Sequence, residues 1–257
     1  MSNLAPAAEA ATKVITFLAL ADTEQGISEI SRGVDLNKNM VFRILNSLEQ
    51  VGWVYCHDQK YALTLVPFQI TSRSLARLDL NAAATPAVHR LWEELGESTY
   101  LGVHKGDKVC YLQHFDGRGD VRVAGRVGGE YDLYCSAPGK ALLAYADEAY
   151  LSEYLKQEHM SRTCHTLTEP EALRAELERV RACGYATDRE EFGHGIACVA
   201  APIFDYTGRA VGAVGCSSFT VSGLCDAVIE RLRPAVCRTA REVSVCLGAS
   251  DVCLKQS

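Results

Sequence analysis

The sequence predicts an α+β protein: a small winged helix-turn-helix joined by a linker helix to a larger domain with a mostly antiparallel sheet. Three observations predict it. Residues 11–63 run helix, helix, tight connection, helix, hairpin, the order of a winged helix-turn-helix. Helical patterning then continues to about residue 94. From residue 98 on, alternating apolar segments joined by polar turns share the chain with helical segments. At 257 residues the chain suits two domains. The predicted boundaries are 1–67 for the winged unit, 68–80 for the linker helix, 81–250 for the larger domain and 251–257 for a tail.

The first helix contains the apolar run VITFLALA at 14–21. Glu9 beside Lys13 leaves the region before it without the basic character of a secretory leader. Ala11, Val14, Ile15 and Leu18 fall at helical spacing instead. Asp22 to Gly26 is a polar break. A short helix over 27–32 follows, with Ser28 as its expected N-cap. Gly33 is expected to be its left-handed C-cap. The next helix spans 37–50 and Gly52 ends it. Strands are expected at 53–55 and 61–63, around a polar turn at 57–60. Helix resumes over 65–94 with a break near Thr85-Pro86, where Pro86 suits the first turn of a new helix.

In the larger domain, 98–104 and 109–115 form a hairpin around Lys105 to Lys108. The alternation of 121–127 predicts a third strand. Helices are expected at 138–154, 170–183 and 223–246, and strands at 185–190, 197–204 and 210–217.

Composition narrows the class. The chain is 48% apolar and 23% charged, which supports packed cores and excludes broad disorder. A net charge of −6 argues against a coat for nucleic acid but not against a local DNA-reading face. The 11 cysteines form no C-x-x-C pair, so neither a disulfide scaffold nor a zinc ribbon is indicated. Most are expected to be small buried hydrophobes in a reducing cytoplasm. No apolar run reaches the length of a membrane span, and no membrane partner is expected.

The helix over 37–50 carries the first candidate site. Val41, Ile44, Leu45 and Leu48 share one side and should pack inward. Asn39, Phe42, Arg43 and Asn46 face the other way, with Lys38 at the N-terminal end. Arginine forks onto guanine, asparagine onto adenine, and an exposed phenylalanine meets a thymine methyl. Lys38 and Lys60, at the wing tip, suit phosphates. An ordinary solvated helix face would show a similar pattern. Residues 1–75 carry six Lys or Arg against seven Asp or Glu, so one copy should bind weakly and act as a dimer or higher.

Three segments of the larger domain suggest a pocket. Cys135 to Ala141 is rich in small residues where a helix begins, which suits an anion, though a plain helix cap explains it as well. Asp188 and Cys198 flank a glycine-rich loop before a strand of small side chains, and Gly212 to Ser218 is small again. Cys198, His194 and Asp188 name the parts of a thiol triad, but the spacing implies no facing geometry. A thiol enzyme or redox sensor using Cys198 is therefore the alternative function. Scattered ligands for a metal, His104, Cys110, His114, Cys164 and His165, form no motif. No enzyme activity, cofactor or metal ion is expected.

With these pieces in order, the chain resembles the IclR family of bacterial transcriptional regulators over residues 8–248. The resemblance rests on ISEISRGVDLNKNMVFRILNSLEQVGWV, the wing YALT, SAPGKALLAY and RACGYATDREEFGHGIACVAAPIFDYTGRAVGAV. It implies that the larger domain is GAF-like and binds an effector, commonly a small organic acid or aromatic catabolite. It also implies dimers or tetramers on pseudo-palindromic double-stranded operators. The family's effector-contacting positions correspond to Ala137, Pro138, Asp188, Cys198, Gly215 and Ser217. Members that bind very small acids carry serine where Gly215 stands and Gly-Ala where Ala137-Pro138 stands. Loss of a hydroxyl and a backbone donor implies a different, bulkier effector. Asn39 and Met40 replace the usual small hydroxyl residues of the reading helix, so operator preference does not transfer.

Overall fold

The computed structural model describes residues 5–67, 69–70, 79–220 and 224–250. The chain divides into two compact units, 1–77 and 78–257. The predicted linker helix falls largely outside the described residues, and the tail wholly so.

In the first unit, α1 (Pro6–Leu20) buries Ala10, Val14 and Leu18, one residue per turn. The polar break after it holds a short strand, β1 (Gln25–Gly26), that the sequence did not reveal. Helix α2 (Ile27–Val34) is capped from Gly26, whose N–H donates to the Glu29 carboxylate at 2.7 Å, so Ser28 is not the cap. Gly33 is not the C-cap either. The left-handed residue is Asp35, at φ 53°. Gly33 lies inside the helix, and glycine is needed there because the Phe17 ring occupies the space a Cβ would take, at 2.0 Å. Helix α3 (Lys38–Gln50) starts at Asn37, whose side chain accepts from Met40 N at 2.8 Å. Strands β2 (Val54–His57) and β3 (Lys60–Leu63) form the wing and pair in the order β1-β3-β2. Val14, Leu18, Ile30, Val41, Leu45, Val54 and Tyr61 form the core.

The second unit opens with α4 (Leu80–Leu95), which is continuous through Pro86. The expected break does not occur. Buried Ala84, Ala87, Val88 and Leu91 hold the helix on the sheet. Thr85 and the Gln113 amide both donate to the Asn81 carbonyl, in the turn before the proline. This tertiary anchoring outweighs the local cost of proline.

The sheet is wholly antiparallel, in the order β6-β5-β4-β9-β8-β7. Its strands are β4 (Ser98–Lys105), β5 (Lys108–Phe115), β6 (Glu130–Asp132), β7 (Ala186–Arg189), β8 (Ile196–Phe204) and β9 (Ala210–Phe219). The strand expected at 121–127 is not one; the third strand is β6. Val123 and Gly125 are half-buried while their neighbours in 121–127 are exposed. The alternation is real, but it records a strap lying one-sided over the domain, not a ladder. The helix expected at 138–154 is two, α5 (Ala137–Leu143) and α6 (Glu148–Tyr154), because Asp147 caps a new start by accepting from Ala149 N at 2.9 Å. Helices α7 (Pro170–Cys183) and α8 (Cys225–Cys246) complete the domain. Residues of α4 and α8 share one core with one sheet face; α5, α6 and α7 cover the other.

Candidate functional site

The first candidate surface is the outer side of α3. Val41 and Leu45 are fully buried and Ile44 and Leu48 half-buried, which fixes the helix's rotation. Lys38, Asn39 and Arg43 are exposed, Phe42 is 47% exposed and Asn46 is half-buried. Lys60 is exposed at the first position of β3, beside a turn whose Asp58 and Gln59 both have positive φ. The predicted set therefore lies on one helix face and the wing.

The second candidate is a cavity of about 200 Å³ in the larger unit, on the side of the sheet covered by α5. Ala137, Pro138, Asp188, Cys198 and Ser217 all line it. Asp188, Cys198 and Ser217 stand on adjacent strands β7, β8 and β9 in direct register. The Cys198 thiol lies 2.9 Å from the Ser217 hydroxyl and donates towards Asp188 Oδ2 at 3.6 Å. Asp188 Oδ1 accepts from Glu191 N at 2.7 Å and Phe192 N at 3.2 Å. Burial, with the Glu191 carboxylate nearby, pushes Asp188 up to about 7.

Gly215 does not line the cavity, but it explains who does. A Cβ there would stand 2.5 Å from the Val199 carbonyl and 2.7 Å from the Tyr100 ring and hydroxyl. Its bare backbone admits the Tyr100 ring. Gly215→Ser should therefore displace Tyr100 and lower stability by about 1–3 kcal/mol, read by denaturant unfolding; an unchanged midpoint would contradict the packing.

The sequence did not single out the wall of this cavity. Tyr100 stacks on Tyr111 at 4.6 Å and 7°, Tyr111 on His114 at 6.1 Å and on Tyr131 at 4.2 Å. The same-face placement of Tyr100, Tyr111 and His114 depends on an irregularity between Leu101 and Gly102, which shifts the β4–β5 register. Strict alternation along β5 does not show it. Arg122, Val123, Ala124 and Gly125 of the strap also line the cavity, and the Ser98 hydroxyl ties it down by donating to the Val123 carbonyl at 2.8 Å.

The thiol triad does not form. His194 is exposed, whereas Cys198 is 6% exposed and bonded to Ser217 and Asp188. Burial and the Asp188 charge hold the thiol well above its usual range, the reverse of an activated nucleophile. Among the described residues no three His, Cys, Asp or Glu side chains gather around a metal position. The expectation that most cysteines are buried needs correction. Of the ten described, all free, only Cys135, Cys198 and Cys216 are buried; Cys56, Cys164 and Cys246 are exposed.

Both units match known families. The model for the C-terminal part of the bacterial transcriptional regulator IclR matches residues 72–245, and that for the IclR helix-turn-helix domain matches 7–57. The HTH-type transcriptional regulator KdgR of Escherichia coli is 31% identical over 90% of this chain and 88% of its own. The glycerol operon regulatory protein of Streptomyces coelicolor is 35% identical over 94% and 96%. The fold is shared with an IclR homologue from Microbacterium hydrocarbonoxydans solved with 4-hydroxybenzoate: TM-score 0.60, 23% identity, 95% of this chain and 100% of that one.

Proposed function

The chain belongs to the IclR family of bacterial transcriptional regulators, and from that premise we propose that it binds a pseudo-palindromic operator as a dimer or tetramer under control of a small molecule in the C-terminal cavity. The observation that supports this reading most is α3, which buries an aliphatic stripe and turns Lys38, Asn39, Phe42 and Arg43 outward beside Asn46. In the major groove Arg43 grips a guanine, Asn39 and Asn46 read adenines, and Phe42 covers a thymine methyl. Lys38 and Lys60 neutralise phosphates. The acidic balance of residues 1–75 makes pairing of copies necessary for useful affinity.

Ala137, Pro138, Asp188, Cys198 and Ser217 contact the effector, with Gly215 acting through Tyr100. The ring-lined wall suits a flat molecule over a two- or three-carbon acid, and the Microbacterium neighbour holds 4-hydroxybenzoate. Occupancy changes the effector domain, and residues 68–80 pass that change to the spacing of the paired winged units. Regulation rather than catalysis fits the protonated, buried Cys198 thiol. The chain works in the cytoplasm, where its DNA is; no helix among the described residues is long and apolar enough to cross a membrane.

Arg43→Ala should cost about 1–3 kcal/mol of operator binding and relax preference at one base pair. Fluorescence anisotropy against operator variants checks this. Unchanged affinity would remove Arg43 from the reading set.

A further inference from the structure

A groove of about 500 Å³ runs along α8, beside the part of β8 that β7 leaves uncovered. β7 pairs with β8 only from Ala197 to Ala200, so Ala201, Pro202 and Phe204 are left to line the groove. This stretch of sheet edge is closed to a further strand. Pro202 has no N–H, and the Phe204 N–H donates to the Ser244 hydroxyl at 2.9 Å. Among the described residues the lining holds Arg233, Arg238 and Arg241 of α8 and no carboxylate. Arg233 and Arg241 stand about 12 Å apart along the helix.

One of these arginines uses half of its fork. Arg233 Nη2 donates to Glu230 at 2.7 Å, but Nε, the other donor on that edge, is buried and has no partner. Arg179 shows the complete fork in this chain, with Nε and Nη2 on the two oxygens of Glu176 at 2.7 and 2.9 Å. A buried N–H left unmet costs free energy that an incoming acceptor recovers. Arg238 Nη2 donates to both oxygens of Glu94, at 2.8 and 2.6 Å. Glu230 and Glu94 are exposed, so these pairs contribute little and yield to a stronger anion. The Arg233 guanidinium lies 5.6 Å from the centre of the Tyr185 ring, which positions it at the groove.

The partners already present select the ligand. A carboxylate from solution competes with carboxylates tethered beside the arginines at high effective concentration. A phosphate group carries about −1.5 to −2 charges at pH 7 and three strong acceptor oxygens, enough to displace them. Its oxygens also match the arginine fork, Nε included. We propose that this groove binds a small molecule carrying two or more phosphate groups, which bridge Arg233, Arg238 and Arg241 and displace Glu230 and Glu94. The site is separate from the cavity under the strap and does not depend on how that cavity is read.

Calorimetric titration of the full chain with tripolyphosphate, ATP, adenosine and citrate, in metal-free buffer at physiological salt, tests the site. Tripolyphosphate and ATP should bind at one equivalent per chain, citrate at least tenfold more weakly, and adenosine not at all. Arg233→Gln and Arg238→Gln, both at positions that reach solvent, should each weaken the phosphates at least fivefold. Arg90→Gln, which removes a similarly exposed ion pair between α4 and α8 outside the groove, should change neither. Tighter binding of tripolyphosphate would point to an inorganic chain and tighter binding of ATP to a nucleotide; both uphold the site. No binding of either phosphate, equal binding of citrate, or equal losses in all three variants would overturn it. So would a loss caused by Arg43→Gln instead, which would put the anions on the outer face of α3.

Discussion

Replacing Lys140 with methionine is expected to lower stability by about 3–5 kcal/mol. Lys140 is fully buried in α5, and its ammonium lies 2.5 Å from Glu191 and 3.2 Å from Glu176. Arg179 holds Glu176 through two further bonds of 2.7 and 2.9 Å. Methionine fills much of the volume but leaves Glu191, 5% exposed, without its counter-charge. Burial already pushes Glu191 up, and Lys140 is what opposes it. The double variant Lys140→Met, Glu191→Gln should recover part of the loss, because it removes the stranded charge too. Urea unfolding of the three proteins at pH 8 measures this. A loss under 1 kcal/mol in the single variant would show that the pair contributes little. The consequence reaches the cavity, since the Glu191 N–H donates to Asp188 Oδ1.

Asp188 gives the second large effect. Its carboxyl is raised to about 7 in the fold, first by burial and then by the Glu191 charge, against about 3.9 in an unfolded chain. Between those values the native state holds a proton that the unfolded state has released. Stability therefore falls as pH rises from about 4 to about 7 and levels off above, by about 4 kcal/mol over the window. Asp188→Asn keeps an oxygen to accept from the Glu191 and Phe192 N–H groups and removes the titration. The variant's curve of stability against pH should be flatter by that amount, with the gain over the unaltered protein largest near pH 8. Parallel curves would mean that Asp188 ionises in the fold as it does in water.

Much of this was legible in the residues. The stripe of Val41, Leu45 and their half-buried neighbours announced the face of α3, and Asn37 and Gly52 bounded it. The motifs around Ala137, Asp188 and Ser217 marked one end of the cavity. The other end was not visible, for physical reasons. His114 and Tyr111 share a face only through the register irregularity beside Gly102, and Arg122 arrives on a strap whose alternation imitates a strand. Lys140 gave no sign of burial, because the carboxylates that permit it lie 36 and 51 residues away. Gly33 and Gly215 each make room for an aromatic ring from a distant segment, Phe17 and Tyr100, which neither local conformation nor a missing hydroxyl reveals. Pro86 predicts a break only locally; the buried face of α4 holds the helix continuous through it.

The central claim is that the outward side chains of α3 choose a DNA sequence. The most direct measurement is a titration of the full chain with its own promoter duplex and with a random duplex of equal length at physiological salt. The account predicts promoter binding tighter by a factor of about 10³ or more. Equal affinity for the two duplexes would contradict it.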